Sequence, residues 1–135
     1  MITKKFVLAF IAYLVIVFII AVTWHLVLFK SSYSEAGMRE APIFSLGILS
    51  MLIQATIMAY LYPLLSQRES PAKEGLKFGL LMGLFMGSYG VLAQAGKYDV
   101  GSLSTFLLLE SAFFILQFAI VGTVIGLIYG KRKYR

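Results

Sequence analysis

Four long apolar runs, at about 6–29, 43–65, 76–95 and 103–129, are separated by short polar segments. As a helix rising 1.5 Å per residue, each run is long enough to cross a hydrocarbon core of about 30 Å. The pattern predicts an all-α fold: a single domain over 1–135, an integral membrane bundle of four transmembrane helices with short loops. Short connections make consecutive helices antiparallel neighbours. The first run follows Lys4 and Lys5, but it is too long for a signal peptide and no small-x-small cleavage pattern follows it, so it reads as a retained helix.

Within the third run, EGLKFGLLMGLFMGSYG places Gly75, Gly79, Gly83 and Gly87 four residues apart, and the fourth run repeats the spacing at Gly122, Gly126 and Gly130. Glycine is a poor helix former in water, but in lipid small residues let two helix backbones approach closely. Successive glycines at this spacing drift by about 40° and trace one slowly winding face. Because the two helices run in opposite directions, both faces fall in the same half of the bundle. Packing of one face on the other would hold helices three and four closest there and let them diverge at the other end. Each face could instead meet the first or second helix, or a second copy of the chain.

Composition agrees with a membrane setting and narrows the chemistry. The 135 residues are 60% hydrophobic and 13% charged, with a mean hydropathy of +0.88, leaving too few polar residues to cover a soluble domain. The absence of Cys excludes disulfides, thiolate zinc sites, iron–sulfur clusters and thioether haem attachment, and a single His excludes bis-His haem within one chain. No cofactor and no metal are expected. The net charge of +6 belongs to the ends of apolar runs, so it implies no nucleic-acid partner. Nine Lys and Arg, at Lys4, Lys5, Arg68, Lys73, Lys77, Lys131, Arg132, Lys133 and Arg135, face three at Lys30, Arg39 and Lys97. That asymmetry puts both termini and the middle loop in the cytoplasm, an N-in/C-in topology. The tail KRKYR reads as a topology determinant touching anionic lipid. Tyr60, Tyr62, Tyr129 and Tyr134 then fall near the inner interface, and Trp24, Tyr33, Tyr89 and Tyr98 toward the outer one.

Ionisable groups inside a spanning helix are costly and mark candidate sites. Glu110 lies seven residues into the fourth run, about 10 Å from its outer end. His25, Lys97, Arg39 and Glu40 belong to the same half, where the glycine faces predict that the bundle opens. One reading is an outward-facing pocket in which Glu110 binds a cation, a proton or a polar headgroup, with His25 as partner and Trp24 as a wall. The other is that Glu110 is paired with Lys97 or hydrogen-bonded to His25 and only fixes helix positions. Arg39 and Glu40 also read as loop and first-turn charges before a helix start at Pro42. Gln54 and Gln117, both near the midplane, suit an amide pair across the bundle. Met38, Met51, Met58, Met82 and Met86 read as gap-fillers rather than soft-metal or haem ligands. No G-x-S-x-G, H-E-x-x-H or phosphate-binding glycine loop is present, so no enzyme activity is expected.

The segments WHLVLF, REAPIFSLGILSMLIQ, YLYP, EGLKFGLLMGL and LLESAFFILQFAIVGTVIGLIYG resemble a group of small bacterial four-span membrane proteins of no established activity. That resemblance implies a bacterial cytoplasmic (inner) membrane and transfers no site. The first expectation is a non-enzymatic accessory or assembly subunit, or a small protein binding a lipid or polar headgroup in the outer-half pocket. Its partners would be membrane lipids and a larger membrane complex, or further copies of itself. The second is a small homo-oligomeric transporter or channel using Glu110 as its ion or proton site.

Overall fold

The computed structural model describes residues 3–67 and 69–131. Arg68, Arg132, Lys133, Tyr134 and Arg135, used above for topology and anchoring, lie outside them. The described residues form six α-helices, α1 (Lys4–Val22), α2 (Lys30–Glu35), α3 (Phe44–Leu65), α4 (Pro71–Gly87), α5 (Gln94–Lys97) and α6 (Leu103–Tyr129). Two π-helical turns interrupt them: Thr23–Leu28 continues α1, and Ser88–Ala93 joins α4 to α5. Four continuous helical segments, Lys4–Leu28, Phe44–Leu65, Pro71–Lys97 and Leu103–Tyr129, are long and apolar enough to cross a membrane.

The helix ends follow local chemistry and correct several expected boundaries. The Thr3 side chain accepts from the Phe6 N–H at 3.1 Å, so α1 opens before the apolar run begins. The third segment starts at Pro71 rather than near residue 76, because proline suits a first helical turn that needs no N–H donor. The Glu74 carboxylate accepts from the backbone N–H groups of Glu69 and Ser70, at 2.8 and 3.0 Å, and from the Ser66 hydroxyl, which fastens the turn before α4. Pro42 does not open a helix: α3 begins two residues later, with Ile43 at its N-cap. The first connection is not a plain loop, since it holds α2.

α6 is the central element. Its buried face carries Glu110, Phe113, Gln117, Val121, Ile125 and Tyr129 at helical spacing. α1 packs against it with Ala9, Tyr13 and Val17, and α3 packs on α1 with Ala55, Met58, Ala59 and Tyr62. α4 lies along another side of α6. Met58 is in the core and Met51, Met82 and Met86 pack against it, as gap-fillers would.

At the end where the chain begins and finishes, here called the terminal end, the Lys5 ammonium donates to the Tyr129 carbonyl. Tyr62 and Tyr129, expected as interface anchors, are instead buried at 5.5 Å from ring to ring. Tyr62 also meets Phe78 edge-on at 5.4 Å and donates to the Pro71 carbonyl at 3.3 Å, and Tyr129 donates to the Ala59 carbonyl at 2.6 Å. These contacts tie α3, α4 and α6 together. At the far end the helices separate: residues 44–50 of α3 are exposed, and a cleft of about 240 Å³ opens between α4 and α6 beside Gly87, Val91 and Phe114.

The α4–α6 seam grades between those two ends. A Cβ on Gly79 would overlap the Phe118 carbonyl oxygen, and one on Gly122 would stand 2.5 Å from the Gly79 Cα, so here backbone meets backbone. Gly75 and Gly126 face each other in the same way, with 3.0 Å from a Gly75 Cβ to the Gly126 Cα. One turn farther, Gly83 meets the Phe118 side chain, and Gly87 has ordinary contact with Phe114 at 3.4 Å. Gly130 is not part of the seam. Its φ of 62° ends α6 in the left-handed region that glycine favours.

Candidate functional site

The far end brings one predicted pair together. His25 sits in the π-helical turn after α1, Glu110 sits in the third turn of α6, and His25 Nε2 lies 3.2 Å from Glu110 Oε1. A π turn closes through i to i+5 bonds, seen here as the Phe29 N–H donating to the Trp24 carbonyl at 3.0 Å. The widened turn presents Trp24 and His25, consecutive residues, to the same partner: Phe113 stands 6.1 Å from the indole and 4.5 Å, edge-on, from the imidazole.

Tyr33 completes the group from α2. Its hydroxyl donates to Glu110 Oε1 at 2.5 Å and accepts from the Trp24 indole N–H at 3.1 Å, while its ring leans on His25 at 4.3 Å. Burial pushes the Tyr33 phenol above the ordinary tyrosine range, and its hydrogen bond to Glu110 and that group's charge push the same way. The phenol therefore stays protonated and stays a donor. The sequence placed Tyr33 only as an aromatic near the outer interface. Its one signal was an aromatic residue inside the polar segment KSSYSE, eight residues after His25.

Proton count follows from the hydrogen bonds. His25 Nδ1 is 3.1 Å from the Ala21 carbonyl oxygen, which can only accept, so Nδ1 carries a hydrogen. The contact between Nε2 and Oε1 then needs one proton between them, on the imidazole beside a carboxylate or on the carboxyl beside a neutral imidazole. Either arrangement leaves the pair with no net charge, which suits a carboxyl only 8% exposed. Oε1 takes both contacts, and among the described residues Glu110 Oε2 has no hydrogen bond.

The other predicted members lie elsewhere. Lys97 does not pair with Glu110; its ammonium donates to the Tyr89 hydroxyl at 2.8 Å and stands 4.5 Å above the Tyr89 ring. α5 carries it to the rim, where both groups are exposed. Arg39 and Glu40 are exposed in the segment before α3, lining a cleft of about 600 Å³ that includes neither Glu110 nor His25. Gln54 and Gln117 do not form an amide pair. Gln54 accepts from Tyr13 at 2.5 Å and donates to Ser50 at 2.9 Å, while the buried Gln117 Oε1 has no partner among the described residues. The register explains this, since α1, carrying Tyr13, packs against both α3 and α6.

In place of the expected open pocket, Glu110 is buried in a polar cluster whose His25 and Trp24 are half-buried. A cavity beside Tyr33, about 10 Å³ and lined also by Glu35, Val100 and Ser102, has room for about one water. No three His, Asp or Glu side chains among the described residues are grouped to hold a metal. The arrangement can fix the turn after α1, α2 and α6 in register. No known protein family, curated protein or solved structure matches this chain.

Proposed function

We propose that the chain is a non-enzymatic four-span protein of a bacterial cytoplasmic membrane, with both termini inside, serving as an accessory or assembly subunit of a larger membrane complex. Insertion is supported by the apolar surface: Leu84, Phe85 and Leu108 are 72%, 71% and 71% exposed, and water would penalise that surface strongly. Topology is supported by the nine-to-three division of Lys and Arg. The observation that carries the accessory role is the commitment of Glu110 Oε1 to His25 and Tyr33 within the chain. The group best equipped to act on a ligand is engaged in holding three elements together, and the clefts at the same end are lined by neither Glu110 nor His25.

The chain has no Cys, so single cysteines report topology cleanly. Ser34→Cys is expected to react with an impermeant maleimide from outside intact cells, and Ser70→Cys only after lysis. The reverse pattern would overturn the topology. Extraction in a mild detergent followed by mass spectrometry is expected to return one partner at a fixed stoichiometry across detergents. Recovery of the chain alone would overturn the accessory role.

A second reading, a small homo-oligomeric transporter or channel, draws on the single proton held between His25 and Glu110. It requires proton flux in liposomes that Glu110→Gln abolishes. Equal flux in the variant would remove it.

A further inference from the structure

At the far end, the cleft of about 600 Å³ lies between the turn after α1 and the segment entering α3. Its polar lining is Lys30, Arg39, Glu40 and Ser34, and its apolar lining includes Leu26 and Phe44. Two cations face one carboxylate there, and among the described residues the one ion pair is that of His25 with Glu110. The lining charges therefore sum to one positive, and among the described residues neither Lys30 nor Arg39 has an ion-pair partner.

A groove of about 300 Å³ runs deeper between the same two segments, lined by Val15, Phe18, Ile19 and Ile48 among others. All four side chains are exposed. Cleft and groove share no lining residue but follow one another along the same helices: Phe44 is one turn before Ile48, and Leu26 is seven residues, about 10 Å, beyond Ile19. A cationic cleft at the end of the spanning segments thus stands in line with an apolar groove beside α1 and α3.

We propose that this pair of features is a binding site for an anionic phospholipid, with the phosphate held by Lys30 and Arg39 and an acyl chain lying between α1 and α3. Charge complementarity selects the headgroup, because a cation near the membrane surface favours an anionic lipid by roughly fivefold. The trough selects a lipid over a free anion, since inorganic phosphate would leave the apolar surface uncovered. Glu40 opposes the headgroup and limits its affinity. Unlike the Glu110 cluster, where Oε1 is engaged by His25 and Tyr33, this site has cations and apolar surface both exposed. The inference rests on the membrane-spanning reading.

The test uses the full chain in detergent, titrated with phosphatidylglycerol or phosphatidylcholine and read by native mass spectrometry. Phosphatidylglycerol is expected to be retained more strongly. Lys30→Gln and Arg39→Gln should each weaken its retention roughly fivefold, and the double variant roughly 30-fold. Glu40→Gln should strengthen it, and Lys97→Gln, whose cation stands on Tyr89 at the same end, should leave it unchanged. Ile48→Trp, which fills the trough, should weaken retention with both cations intact. Equal retention of the two lipids, or wild-type retention by the double variant, would overturn the proposal. So would displacement of the lipid by millimolar inorganic phosphate, or a lipid-independent dimer that Ile48→Trp abolishes. Resistance of the chain to alkaline carbonate extraction is scored separately, so failed insertion is told apart from a failed lipid site.

Discussion

The two ends of the bundle are closed by different physics. At the terminal end α4 and α6 meet through glycine, backbone on backbone, with no side chain between Gly79 and Gly122. At the far end the same two helices are held apart by the Phe114 ring, and closure passes to α1, α2 and α6 through hydrogen bonds among Trp24, Tyr33, His25 and Glu110. A seam of van der Waals contacts tolerates no added atom but has no proton to lose. A polar cluster can accept small shifts but depends on each donor finding its acceptor. The terminal end therefore acts as the rigid base, and the far end, with its π turns and clefts, is the part that conditions can alter.

Adding a methyl group along the seam should break the comparison most sharply. Gly79→Ala drives a Cβ onto the Phe118 carbonyl, and neither backbone can yield without separating the helices; the expected loss is about 3 kcal/mol or more. Gly87→Ala meets only the Phe114 ring at ordinary contact distance and should cost less than about 1 kcal/mol. Gly47 in α3 has open space, so Gly47→Ala should be neutral or stabilising by up to about 1 kcal/mol. Unfolding in mild detergent, followed by circular dichroism, ranks the three. Equal losses at Gly79 and Gly87 would show that the graded seam is not what holds α4 to α6.

Removing one hydroxyl tests the other end. Tyr33→Phe takes away the donor to Glu110 and the acceptor for Trp24, with an expected loss of about 2 kcal/mol. Tyr13→Phe, which leaves the neutral Gln54 amide without its donor, should cost about 1 kcal/mol. The order of these two losses distinguishes a hydrogen bond to a carboxyl group from one to an amide. A Tyr13→Phe loss larger than that of Tyr33→Phe would move the critical polar contact from the far end to the middle of the bundle.

These two ends were also unequally legible in the sequence. The glycine spacing of Gly75, Gly79, Gly122 and Gly126 is a local signal, and an antiparallel hairpin turns it directly into a shared depth. Glu110 stood out because an acid in an apolar helix is rare, and His25 because it is the one histidine. What joins them was not readable. Tyr33 reaches Glu110 because a π turn re-aims the chain and a short α2 folds back over α6, and neither feature has a periodic pattern. Lys97 stood beside His25 as one of two candidate partners for Glu110 by depth alone, yet the second π turn and α5 bring it to Tyr89. Depth along a helix can be counted from residues, whereas azimuth after a π turn cannot.

Alkaline titration sharpens the same contrast with a smaller effect. The Tyr33 phenol is raised in the folded chain, so its contribution is complete below the ordinary tyrosine value of 10.0 and declines as pH rises past it, when the unfolded chain releases a proton that the folded chain keeps. Tyr33→Phe should therefore flatten the alkaline fall in stability, measured as the difference between wild type and variant across that range. The glycine variants, with no titrating group in the seam, should parallel the wild type throughout.

The smallest effect is expected at Lys97, and its smallness is informative. Lys97 is at the same end as Glu110 and carries the charge that a simple pairing would require, but its ammonium stands over the exposed Tyr89 ring and donates to that hydroxyl. Solvent screens such a contact, so Lys97→Gln should leave the unfolding midpoint unchanged at neutral pH. If Glu110 depended on Lys97 for its counter-charge, the variant would instead lose stability comparable to Tyr33→Phe, and high salt would reproduce part of that loss in the wild type. A null result at Lys97 beside a clear loss at Tyr33 assigns the partnering of the buried Glu110 to His25 and Tyr33 rather than to Lys97.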